Sequence, residues 1–95
     1  MNCKLAYGSV RENPRNVIHV VRVLDRLLEQ EELDVIAERV RELLLSKYGE
    51  RNPAVVMVQG NTKETLRLFG EPYAVTRVRS AMFNAALKWR EFALD

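Results

Sequence analysis

The sequence predicts an α+β fold, a small single domain in the order β-α-α-β-β-α, with its helices packed on one face of a short antiparallel sheet. Three observations predict it. The last quarter carries Val75, Val78, Met82, Ala85, Trp89 and Phe92 at alternating spacings of three and four, which is one stripe of a helix. Ala54-Val55-Val56-Met57-Val58 is an uncharged, β-branched run and the strongest strand signal in the chain. Between residues 17 and 44 two more apolar stripes follow helical spacing, out of phase with each other. A chain of 95 residues closes one core without metal or disulfide staples.

In chain order, residues 2–7 alternate weakly, with Cys3, Leu5 and Tyr7 on one side, and predict a short edge strand, followed by a loop from Gly8 to Glu12. Asn13-Pro14 reads as a helix start, Asn as the cap and Pro at the first helical position. The helix over 14–30 would bury Val17, Val20, Val21, Leu24, Leu27 and Leu28. Its β-branched content gives a strand some claim. The polar residues Arg15, His19, Arg22, Arg26 and Glu29 also recur at three and four, and this favours the helix. The apolar phase jumps near 31–34, so a second helix starts there with Asp34 as its cap. It carries Leu33, Ile36, Ala37, Val40, Leu43 and Leu44 and ends at Tyr48-Gly49.

Arg51-Asn52-Pro53 is a turn, and the strand over 54–58 reads as central because its apolar character is continuous. Gly60 to Gly70 admits two readings. One is a β-hairpin returning through Glu64–Phe69, with Leu66 and Leu68 inward and Thr65 and Arg67 outward; the other is a short helix opened by Asn61-Thr62-Lys63-Glu64. The hairpin is preferred, because so short a helix is marginal by itself. Pro72 then suits the first turn of the last helix, which runs to residue 94.

Composition narrows the function classes. The lone Cys3 excludes an intramolecular disulfide and fits a reducing compartment. No apolar run has the length of a membrane span, and the first residues lack a signal-peptide core, so a cytoplasmic protein is expected. The net charge of +2 is too small to imply a polyanionic partner. Charge runs basic, acidic, basic along the chain, and arginine dominates the bases, as a GC-rich coding bias also produces. One His and one Cys cannot assemble a metal site of four soft or nitrogen ligands, and neither phosphate-loop nor dinucleotide-loop glycine spacing occurs. No cofactor, metal or enzymatic activity is therefore expected.

Two sets of residues remain as candidates. Arg15, His19, Arg22 and Arg26 would form a basic face on the first predicted helix, and Arg77 and Lys88, with Arg79 and Arg90, a second on the last. Either could contact an anion or a nucleic acid; either could be a solvated face. On the last helix Phe83, Leu87 and Leu94 widen the apolar arc beyond what one packing surface uses. The expected function is accordingly a non-enzymatic protein-interaction module, a homodimer or a partner of another protein through its C-terminal helix. The alternative is a small nucleic-acid-binding or regulatory protein using its arginine-rich faces.

Overall fold

The computed structural model describes residues 3–13 and 15–94. Within them the order is β1 (Leu5–Asn13), β2 (Asn16–Val23), α1 (Gln30–Tyr48), β3 (Ala54–Gln59), β4 (Arg67–Phe69), α2 (Pro72–Phe83) and β5 (Arg90–Phe92). The strands form one five-stranded sheet in the order β4-β3-β2-β1-β5. It is a mixed sheet: β2 and β3 are parallel neighbours joined by the α1 crossover, and the other pairings are antiparallel.

The α+β class stands, and the helices divide between the two faces of the sheet. Strand alternation explains the division. Leu5, Val21, Val23, Val55 and Met57 point to one face, where Leu33, Ile36, Ala37, Val40 and Leu44 of α1 cover them. Ile18, Val20, Val56 and Val58 point to the other, under Ala74 and Val78 of α2. Val20, Val21, Val56 and Val58 are wholly buried; each such side chain contributes about 1.5–3 kcal/mol of transfer free energy.

Burial on both faces is the physical reason that residues 16–23 are a strand and not part of a helix over 14–30. A strand covered on both sides shows no polar alternation, and its apolar run satisfies helical spacing as readily as period two. The phase jump near 31–34 marks a change from strand to helix, not a break between two helices. The helix starts at Gln30, ahead of the expected Asp34 cap, and the Glu29 N–H donates to Glu32 Oε1 at 3.3 Å. Residues 8–12 continue β1 instead of forming a loop. The hairpin turn after them is closed by Asn13, whose Oδ1 accepts the N–H groups of Arg15 and Asn16. The expected first-turn role of Pro14, and residue 2 of the expected first strand, lie outside the described residues.

Other elements agree more closely. α1 ends at Tyr48, where Gly49 takes φ +67 and its N–H donates to Leu45 O. The preferred hairpin is present with a shorter return strand: β4 spans Arg67–Phe69 and not Glu64–Phe69, antiparallel to β3 with Gln59 opposite Arg67, and residues 63–65 belong to the turn. The expected helix over 72–94 is shorter, ending at Phe83. Ala85 then adopts φ +51, and the remaining chain crosses the sheet edge and pairs as β5 with Leu5–Tyr7 of β1. The tail thereby contributes to both cores, Leu87 and Trp89 on the α2 side and Phe92 and Leu94 on the α1 side.

Candidate functional site

The polar centre of the molecule is His19, which lies on β2 beneath α1 and is only 4% exposed. Residues 9 and 19 are register partners in the β1–β2 hairpin, so Tyr7 is the diagonal neighbour of His19 on the same face. The Tyr7 hydroxyl lies 2.6 Å from His19 Nδ1, and the two ring centroids are 5.8 Å apart. On the other side His19 Nε2 lies 3.0 Å from Glu50 Oε1. Gly49 makes that contact possible. Its left-handed conformation turns the chain out of α1, the next N–H bonds Leu44 O, and Glu50 is left over the sheet.

A carboxylate only accepts, so the neutral ring meets both contacts in one tautomer: Nε2–H donates to Glu50 and Nδ1 accepts the Tyr7 O–H. Burial, followed by the Glu50 carboxylate, pushes the Tyr7 phenol above its ordinary value, so Tyr7 is held as a hydrogen-bond donor.

This trio floors a cavity of about 390 Å³ between the C-terminal half of α1 and the β1–β5 edge. Its walls are mainly apolar, from Val40, Leu43, Leu44 and Phe92, with Tyr48 at the rim. Leu43 and Tyr48 remain 39% and 74% exposed. One cation completes the lining. Arg90 is the register partner of Tyr7 across β1 and β5, which places it over the same face, and its side chain makes no hydrogen bond or ion pair with the described residues. The chamber therefore combines an apolar body, a hydroxyl and carboxylate at its floor and an unengaged guanidinium at its rim. Its size is that of a small-molecule site.

The residues expected to form a basic helical face are dispersed by the strand. Arg15 is in the exposed β1–β2 turn; His19 faces α1; Arg22 faces the opposite side, 5.4 Å from the Trp89 ring centroid and bonded to Gly60 O. Arg26 lies beyond β2 in an exposed ion pair with Asp25 at 3.0 Å. That contact lowers the Asp25 carboxyl from its ordinary value. Arg77 lies on α2, 3.9 Å from Glu12, and Lys88 is exposed in the crossing that follows the helix. Phe83, Leu87 and Leu94 do not share a face. Phe83 is 69% exposed at the end of α2, and Leu87 and Leu94 pack on opposite sides of the sheet.

Sequence reasoning placed His19 among the candidates but missed Tyr7, Glu50 and Arg90 as its companions. A usable signal for one of them was the glycine at 49, since a left-handed helix end fixes where the next side chain goes. Among the described residues no three His, Cys, Asp or Glu side chains gather closely enough to hold a metal ion, and no helix is long and apolar enough to cross a membrane. No protein-family model, curated protein or solved structure matches this chain.

Proposed function

We propose that this chain is a non-enzymatic binding module whose ligand is a small amphipathic anion, an apolar body bearing a carboxylate or similar head. The observation that carries the reading is Arg90, an unengaged guanidinium held over a mainly apolar cavity by its pairing with Tyr7. Arginine is suited to a two-point contact with a carboxylate, and the walls from α1 and Phe92 match the apolar remainder. Binding is favoured over chemistry because His19 is only 4% exposed, wedged between Tyr7 and Glu50, and so presents little of its ring to a ligand. The trio reads as a rigid floor that orients the Tyr7 hydroxyl and Glu50.

The apolar arc expected on the last helix supports self-association less well, because its three residues separate in space and only Phe83 projects outward.

The test is a titration with octanoate followed by amide chemical-shift changes, with octanol and octylamine as comparison ligands. Saturable binding of octanoate, at least tenfold weaker for octanol and for the Arg90→Gln variant, is expected. Equal binding of octanol, tighter binding of octylamine, or no saturation would overturn the reading.

A further inference from the structure

A second cleft, on the opposite side of the sheet from His19, lies between the β3–β4 turn and the C-terminal end of α2. Three cations line it: Arg22 from β2, Lys63 from the turn and Arg79 from α2, and no acidic side chain is part of the lining. Lys63 and Arg79 make no ion pair with the described residues. Arg22 is held in place, its guanidinium donating to Gly60 O at 3.3 Å and lying over the Trp89 ring. Arg79 and Phe83 are four residues apart on α2 and so share one helical face, and Phe83 stands 69% exposed beside an apolar wall from Leu66 and Met82.

The turn that presents Lys63 is built to hold its shape. The Asn61 and Thr62 N–H groups both donate to Thr65 Oγ1, at 3.2 and 3.0 Å. Those amides are spent inside the turn, so anion attraction in the cleft comes from side-chain cations, not from a backbone cradle.

We propose that this cleft binds single-stranded nucleic acid, with an unstacked base on the Phe83 ring and neighbouring phosphates on Lys63, Arg79 and Arg22. A single strand offers a flat π face and a negative charge at each nucleotide, and these are the two features the cleft answers. A duplex keeps its bases stacked and leaves Phe83 without a partner. A purely acidic chain such as polyglutamate would meet the cations but not the exposed ring.

The experiment is fluorescence anisotropy of a labelled oligouridylate of about twelve nucleotides, against the full chain, beginning at about 50 mM salt. Binding is expected to weaken with a slope of log K on log salt near −2, for roughly three phosphate contacts. Phe83→Ala should weaken it about tenfold with the slope unchanged, the value of one lost stack. Lys63→Gln and Arg79→Gln should each make the slope shallower by about 0.7. All three positions are exposed, so the variants retain the fold. No binding at low salt, an unchanged affinity in Phe83→Ala, or equal competition by polyglutamate, uridine monophosphate or duplex RNA would overturn the proposal.

Discussion

The side-chain amide of Gln59 is paired with the backbone of Leu28 as one strand residue is paired with another. Leu28 N–H donates to Gln59 Oε1 at 2.8 Å, and Gln59 Nε2 donates to Leu28 O at 3.0 Å. Both residues are buried. The pair splints the connection from β2 to α1 against the end of β3, where no strand is present to satisfy that backbone. Gln59→Leu would leave a buried donor and a buried acceptor unpaired at once, at about 1–3 kcal/mol for each group. Urea denaturation should show a loss of about 3 kcal/mol with little change in m. A loss under about 0.5 kcal/mol would mean that water replaces the amide and that the splint is not structural.

Tyr7 supports a prediction with a definite sign. Its phenol is raised in the folded chain from the ordinary value of 10.0, first by burial and then by Glu50. Between the unfolded and folded values the unfolded chain has released a proton that the folded chain keeps. Unfolding therefore becomes easier as pH rises through this window, and the contribution is fully present below it. Of the chain's three tyrosines, one should titrate late by ultraviolet phenolate absorbance, and Tyr7→Phe should remove that late component. The same variant deprives the buried His19 Nδ1 of its donor, a cost of about 1–2 kcal/mol near neutral pH. A titration unchanged by Tyr7→Phe would contradict the geometry of the trio.

How much of this could be read beforehand depends on how many parts of the chain each feature needs. The strand at 54–58, its hairpin partner and the helix over Leu33–Leu44 with its end at Gly49 were legible, because each has a local signature in burial period or turn chemistry. Strand β2 was not. His19, Val20 and Val21 are all buried in succession, and a period-two pattern disappears when both faces are dry. The stop at Phe83 was also hidden, since neither Gly nor Pro follows it and the helical stripe continues in sequence into Trp89 and Phe92. The cavity was beyond local reasoning altogether. Tyr7, His19, Glu50 and Arg90 come from β1, β2, the end of α1 and β5, and only the sheet order brings them together.

Two residues with left-handed backbone predict opposite responses to one methyl group. Gly49 at φ +67 ends α1 with open space where a Cβ would be; Ala85 at φ +51 begins the crossing after α2. An L-residue pays about 1–2 kcal/mol in this region, partly offset by the greater unfolded-state freedom of glycine. Ala85→Gly should thus stabilise by about 0.5–1 kcal/mol, and Gly49→Ala should destabilise by a similar amount. Gly49→Ala should also disturb the His19–Glu50 contact, visible as a chemical-shift change at the imidazole. Ala85→Gly should leave that signal unmoved. If both variants shifted stability in the same direction, the backbone assignment at one of the two positions would be in error.

Solution mass separates the small-ligand and nucleic-acid readings from self-association. A stable isologous dimer buries roughly 800 Å² on each partner around an apolar centre. Of the three apolar residues expected to form an interface, Phe83 alone is largely exposed, whereas Leu87 and Leu94 pack against opposite cores. The free edge of β1 beyond β5 carries Arg11 and Glu12, and such charged edge positions disfavour strand-to-strand pairing. Sedimentation at high concentration should therefore give the 11.0 kDa monomer, unchanged in Phe83→Glu. A dimer that Phe83→Glu dissociates would return the apolar face of the C-terminal segment to the role of a protein interface. It would also show that the exposed ring is covered by a second copy and is not open to a base.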